Sequence, residues 1–260
     1  MDIDTEIAAY FINSTTINDP YLPSESEELE LSRKQTIFDH LTEKFPITVS
    51  KQLSKDERSR LDLARDPSLT YGEIEFKSFG EIFLSIKARY GLPEGGIFYD
   101  LGSGVGKALV AAALLGSFSE CVGIELLESL YNVSERLIEE YNDNFTSHIL
   151  ANSDLFTILP PLTSVKGDIL TYDWTNASIL FVNSTCFSDE MVRIISDKTV
   201  KAGTLAISLT KSLSATSWIQ LEMVRKKMSW GEATIYIQRK IDPIEQERLL
   251  REFGRALDSE

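Results

Sequence analysis

The spacing of apolar positions divides the chain near residue 68. From Ser68 onward, short apolar runs alternate with stretches of helical period. Phe76 to Tyr90 predicts a helix, because Phe79, Ile82, Phe83 and Ile86 recur three and four residues apart. Gly91-Leu92-Pro93 ends it. Gly96 to Leu101 predicts a strand, Ala108 to Leu115 a helix that Gly116 can stop, Glu120 to Leu126 a second strand, and Glu128 to Tyr141 a helix. Asn142 to Pro161 follows neither period. Leu162 to Val165 predicts a strand leading to Gly167-Asp168, Ala177 to Asn183 a buried strand, Ser188 to Lys198 a helix, and Gly203 to Thr210 a further strand. Trp218 to Val224 and Ala233 to Arg239 predict an antiparallel hairpin, and Glu245 to Leu257 a charged terminal helix. Strands that alternate with helices and close on an antiparallel pair predict an α/β, Rossmann-like sheet of seven strands.

Residues 1–67 read differently. Ile7 to Ile12 is a short apolar patch and Ser24 to Glu30 is acidic. Leu31 to Phe45 has helical spacing, with Leu31, Ile37, Phe38 and Leu41 on one face. Lys51 to Arg65 mixes charges around Leu53, Leu61 and Leu63. A small, mainly helical lobe is expected over residues 1–67, ahead of the α/β domain at 68–260. No internal repeat is visible.

The chemistry starts where the first strand of the sheet ends. Ile97-Phe98-Tyr99-Asp100 runs directly into Leu101-Gly102-Ser103-Gly104-Val105-Gly106-Lys107. Strand, glycine turn and helix open a mononucleotide-binding βαβ unit. A carboxylate at that strand end would repel a dinucleotide's pyrophosphate but suits a cationic head, and the glycine spacing misses G-x-G-x-x-G. The pattern therefore points to S-adenosylmethionine, with Asp100 at the methionyl ammonium. Glu125 ends the second strand and can accept both ribose hydroxyls. Asp168 ends the third and can accept from the adenine amino group, or it can be a turn aspartate. Methyl transfer to an amine needs alignment and the exclusion of water. Asn183, Phe187, Trp230 and Tyr236 could supply such a channel, or the aromatics could be plain core.

Composition narrows the partners. The formal net charge of −14 opposes avid nucleic-acid binding, and Arg225-Lys226-Lys227 is the densest basic run. Only Cys121, Cys186, His40 and His148 could serve as soft metal ligands, and their spacing gives neither a zinc site nor a disulfide framework. No secretory signal and no membrane span are expected. Asn183-Ser184-Thr185-Cys186-Phe187 lacks the two prolines that follow this position in amino-methylating DNA enzymes.

Taken in order, the segments resemble the Dot-one type (disruptor of telomeric silencing) histone lysine methyltransferases, which lack a SET domain. The resemblance rests on Tyr71-Gly72-Glu73, Asp100 to Gly106, Gly123-Ile124-Glu125, Gly167-Asp168-Ile169-Leu170, Phe181-Val182-Asn183 with Phe187, and Ser229-Trp230-Gly231 with Tyr236. It implies that Asp100, Gly102, Gly104, Glu125, Asp168 and Ile169 bind S-adenosylmethionine. It places Tyr71 and Glu73 in a loop over the methionyl end, and Asn183, Phe187 and Tyr236 along a lysine channel. Two positions depart from the pattern: Ser184 stands for a second Asn, and Ile169 for an aromatic. The implied substrate is histone H3, free or in a nucleosome, and the implied compartment the nucleus. A cytoplasmic enzyme acting on a non-histone protein is the rival. Nucleic-acid or small-molecule methylation and an inactive binding module are further alternatives.

Overall fold

The computed structural model describes residues 17, 19–144, 154–156, 159–214 and 216–257. The apolar patch at 7–12 lies outside them. Seven strands form one sheet in the order β3-β2-β1-β4-β5-β7-β6. They are β1 (Ile97–Leu101), β2 (Glu120–Glu125), β3 (Leu162–Lys166), β4 (Ile179–Val182), β5 (Leu205–Leu209), β6 (Trp218–Met228) and β7 (Gly231–Lys240). Strands β1 to β5 run parallel to one another, and β7 runs antiparallel to both β5 and β6. The order reverses at β1, which pairs with β2 on one side and β4 on the other. Crevices at the carboxyl ends of strands open at such a point.

The helices are α1 (Glu25–Thr42), α2 (Ile47–Arg60), α3 (Phe76–Arg89), α4 (Lys107–Leu115), α5 (Glu128–Asn144), α6 (Asp189–Asp197) and α7 (Pro243–Leu257). Alternation along the strands assigns the two faces of the sheet. Phe98, Cys121, Ile179, Phe181, Ile207 and Ile235 face α3, α4 and α5, and join one apolar cluster with Leu31, Phe38, Leu41 and Phe45. Tyr99, Leu101, Val122, Ile124, Leu180 and Ala206 face the other way, onto Trp174, Trp218 and α6. Helix α4 is buried from Ala108 to Leu114. Phe79 anchors α3, its ring 5.0 Å from those of Phe83 and Phe181. Burying such a ring contributes about 1.5–3 kcal/mol.

Two elements differ from the expected ones. Helix α1 starts at Glu25, within the acidic stretch, because Ser24 and Glu27 make a reciprocal capping box. The hairpin is longer than the apolar pattern suggests, and Arg225-Lys226-Lys227 lies within β6. Each of its cations meets an acid: Arg225 meets Glu232 at 3.0 Å, Lys226 meets Glu81 at 2.5 Å, and Lys227 meets Glu75 at 3.8 Å. The run is therefore not a free basic patch.

Candidate active site

Asp100 and Glu125 come together because they occupy equivalent places. Asp100 pairs in register with Gly123, two residues before Glu125. Both side chains share the face that carries Phe98 and Cys121. Between them runs the turn Gly102 to Gly106, with φ of 88° at Gly102, 55° at Gly104 and 82° at Gly106. Alternate left-handed residues need glycine. Gly104 needs it twice over, since a Cβ there would lie 2.5 Å from the Tyr71 ring. The turn is pinned to β2, because the N–H groups of Gly102 and Ser103 both donate to the Ile124 carbonyl at 3.0 Å.

Glu125 is 6% exposed, and its carboxylate accepts the N–H of Gly104 at 2.7 Å and of Leu127 at 2.8 Å. Burial pushes its pKa up, against the pull of those amides. Asp100 is 2% exposed, and no side-chain hydrogen bond holds it among the described residues. Burial, then the charge of Glu125, pushes its pKa well above the ordinary aspartate range. Asp100, buried beside a second acid that backbone amides already hold, is costly to ionise in the free protein and suits a cationic partner.

Two cavities open here. The larger, ≈ 400 Å³, is lined by Glu125, Asp168, Ile169, Asn183, Phe187 and Trp230 among others. The smaller, ≈ 30 Å³, is lined by Asp100, Glu73, Lys107 and Ser103. Tyr71, Gly72, Gly102, Gly104 and Asn183 border both. The smaller one is about the size of a single water. The segment Tyr71–Glu73 closes it. The Tyr71 hydroxyl donates to Glu73 at 2.7 Å, and Lys107 reaches Glu73 at 2.8 Å. The Ser229 N–H of the hairpin turn donates to the Glu73 carbonyl at 3.1 Å, and the Glu73 N–H donates to the Ser229 hydroxyl at 2.9 Å. Burial, then Glu73, drives the Tyr71 hydroxyl pKa well up, so it stays a donor.

The acceptor side is built from the ends of β4 and β5. The hydroxyl of Ser184, fully buried, lies 2.6 Å from the Leu209 carbonyl and 2.9 Å from that of Lys211. This ties the Asn183–Phe187 loop to β5. Asn183 accepts from the Thr185 hydroxyl at 3.0 Å. Thr210, at φ 69°, holds a left-handed conformation unusual for a branched residue and lies 2.9 Å from Thr185. Phe187 is buried beside Gly102. Asp168 lines the larger cavity and also accepts the Leu170 N–H at 2.8 Å, as a turn aspartate does. Ile169 is buried and its carbonyl accepts from the Trp174 indole at 2.8 Å.

Every predicted site residue except Tyr236 thus lines one cavity or the other. Tyr236 is half-buried in β7, opposite Ser208 and Met223. Sequence reasoning missed Lys107. Its signal was a cation in the first turn of a helix, where the helix dipole disfavours it. It also missed Glu57, whose partners lie 71 and 72 residues away.

No curated protein matches the chain. Among solved structures, an RNA methyltransferase from Salinibacter ruber in complex with S-adenosyl-L-homocysteine is 18% identical. It covers 62% of this chain and 91% of its own at a TM-score of 0.45. The YcgJ protein from Bacillus subtilis is 14% identical, with 52% and 50% covered and a TM-score of 0.39. TYW2 from P. horikoshii in complex with MeSAdo is 11% identical, with 59% and 60% covered and a TM-score of 0.42. Likenesses this distant say nothing of substrate or of individual residues. The family described as histone methylation protein DOT1 matches residues 63–233, which span the glycine turn, both strand-end acids, the Asn183 loop and the hairpin turn. The chain therefore belongs to the DOT1 histone methylation family, whose activity is S-adenosylmethionine-dependent methylation of histones.

Proposed function

We propose that the chain methylates a lysine of histone H3 in the nucleus, at a site that spans the two cavities. The observation that carries this reading is the joining of two buried strand-end acids, Asp100 and Glu125, to the Asn183–Phe187 loop around one crevice. The residues fit the donor. The larger cavity falls in the usual size range for a small-molecule pocket. It offers Glu125 to ribose hydroxyls, and Asp168 with Ile169 to adenine. Asp100 offers charge to an ammonium, and Lys107 offers it to a carboxylate. When bound, S-adenosylmethionine supplies an electrophilic methyl group on a sulfonium.

The chain's own residues do the rest. The smaller cavity, at ≈ 30 Å³, is tight for an amino-acid end beside Tyr71–Glu73, so on this reading the segment shifts on donor entry and then covers the donor. The side-chain oxygen of Asn183 orients the incoming amine without adding a second charge. Phe187 and Trp230 exclude water, which favours the neutral amine that must attack. Tyr236 lines neither cavity, and its place at the acceptor end rests on the family pattern alone; on that reading Tyr236→Ala slows turnover or alters how many methyl groups are added. A net charge of −14 favours a basic protein as partner. The pairing of Arg225, Lys226 and Lys227 with acids leaves little for a DNA backbone.

A radiolabelled methyl assay on nucleosomes, free core histones and total cell protein tests the reading. Label on an H3 lysine supports it. Label only on other proteins, RNA or a metabolite contradicts it.

A further inference from the structure

Glu57 lies on α2, ahead of the family-matched span at residues 63–233. It is 7% exposed. Its Oε1 accepts the N–H of Glu128 at 3.0 Å, and its Oε2 the N–H of Ser129 at 2.7 Å. These are first-turn amides of α5, which have no acceptor within their own helix. The residue before the helix is Leu127, which has no side-chain oxygen to cap it. The cap therefore comes from another helix. Immediately upstream, Glu125, Leu126 and Leu127 all line the larger cavity. The Leu127 N–H donates to Glu125 at 2.8 Å. A short path thus runs from Glu57 through the first turn of α5 and the amide of Leu127 to the strand-end acid. Other charges at this junction are Arg60, 3.8 Å from Glu57, and Lys166, 2.9 Å from Glu128.

We propose that Glu57 is a positioning residue for the donor site. By holding the first turn of α5 it fixes Leu126 and Leu127, and through the Leu127 amide it sets the carboxylate of Glu125 that takes the donor's ribose. The proposal rests on the reading of Glu125 given above. It makes α2, ahead of the family-matched span, part of the donor site's support.

The test is calorimetric titration of the full chain with S-adenosylhomocysteine, with steady-state kinetics on histone. The variants are Glu57→Ala, Glu57→Gln, Glu125→Ala and the double variant Glu57→Ala with Glu125→Ala. Phe38→Leu serves as a stability control: Phe38 packs on Phe76 with ring centroids 4.7 Å apart and lines neither cavity. Glu57→Ala should raise Kd and donor KM about ten-fold. At saturating donor its kcat should stay within about two-fold of wild type. Glu57→Gln, which keeps one acceptor oxygen, should fall between, and it carries the comparison if the alanine variant fails to fold. The double variant should bind no more weakly than Glu125→Ala. Phe38→Leu should lower Tm and leave Kd unchanged. The proposal is overturned if the Glu57 variants lower Tm with Kd at the wild-type value, or if the two substitutions multiply in the double variant. If Glu125→Ala binds as wild type does, the ribose assignment falls, and the Glu57 role with it.

Discussion

Asp100→Asn should make the free protein more stable and the enzyme worse. The side chain is 2% exposed and, among the described residues, the charge that acts on it is a like one, Glu125. Burial, then Glu125, raises its pKa in the folded state. A carboxyl group with a raised folded pKa contributes stability below the ordinary aspartate range. That contribution is lost as pH rises from there through the folded value. Near pH 7 the loss cannot exceed the work of protonating an ordinary aspartate there, about three pH units at ~1.4 kcal/mol each, or ~4 kcal/mol. Asparagine keeps the shape and removes the charge, so a gain of about 1–4 kcal/mol is expected, with a rise in Tm of about 2–4 °C per kcal/mol. The donor's ammonium would lose a buried ionic partner worth about 1.5–3 kcal/mol, or roughly 10–150-fold in Kd. Thermal unfolding with and without S-adenosylhomocysteine reads both effects at once. The same linkage predicts that, as the medium is acidified toward the aspartate range, donor affinity of the wild type falls and the stability advantage of Asp100→Asn over wild type shrinks. A lower Tm with unchanged donor affinity in Asp100→Asn would refute the reasoning.

Asn183→Ala should leave S-adenosylmethionine affinity near normal and lose most turnover; wild-type turnover on histone would displace Asn183 from the acceptor site. Lys107→Met leaves Glu73, whose side chain is 10% exposed, without its cation, a cost of about 3–5 kcal/mol relieved if the segment swings out. Limited proteolysis near Glu73 should therefore quicken, and an unchanged rate would deny the ion pair a closing role. Gly104→Ala combines a left-handed backbone costing about 1–2 kcal/mol with a clash against Tyr71, so both Tm and donor affinity should fall. Arg89→Ala removes the cation 3.0 Å from Glu222, which is 1% exposed, and should cost about 3–5 kcal/mol by denaturant unfolding, with donor affinity unchanged below the transition.

The parts of the site that were legible in the sequence are those written in consecutive residues. An acid at a strand end, a left-handed glycine turn and a buried helix are local patterns, and Asp100, Glu125 and the turn at 102–106 follow from them. The parts that were not legible are pairings across the fold. Lys107 meets Glu73 34 residues away, and Glu57 caps a helix 71 residues away. Lys226 finds Glu81 145 residues away, so the middle cation of the densest basic run is held in an ion pair that the sequence does not show. The start of α1 was misplaced because its first turn is acidic, although Ser24-x-x-Glu27 is a capping signature. Tyr236 shows the limit of position by pattern. Period two puts it on the sheet face opposite Ile235 and Ile237, but pattern cannot say how near that place lies to the cavity.

The central claim is that the two strand-end acids and the glycine turn form the donor site. A crystal structure of the chain with S-adenosylhomocysteine tests it most directly. The account predicts the ribose on Glu125, the amino group on Asp100, the carboxylate toward Lys107, and Tyr71–Glu73 moved from its present contact with Gly104. A ligand bound away from Asp100 and Glu125 would contradict it.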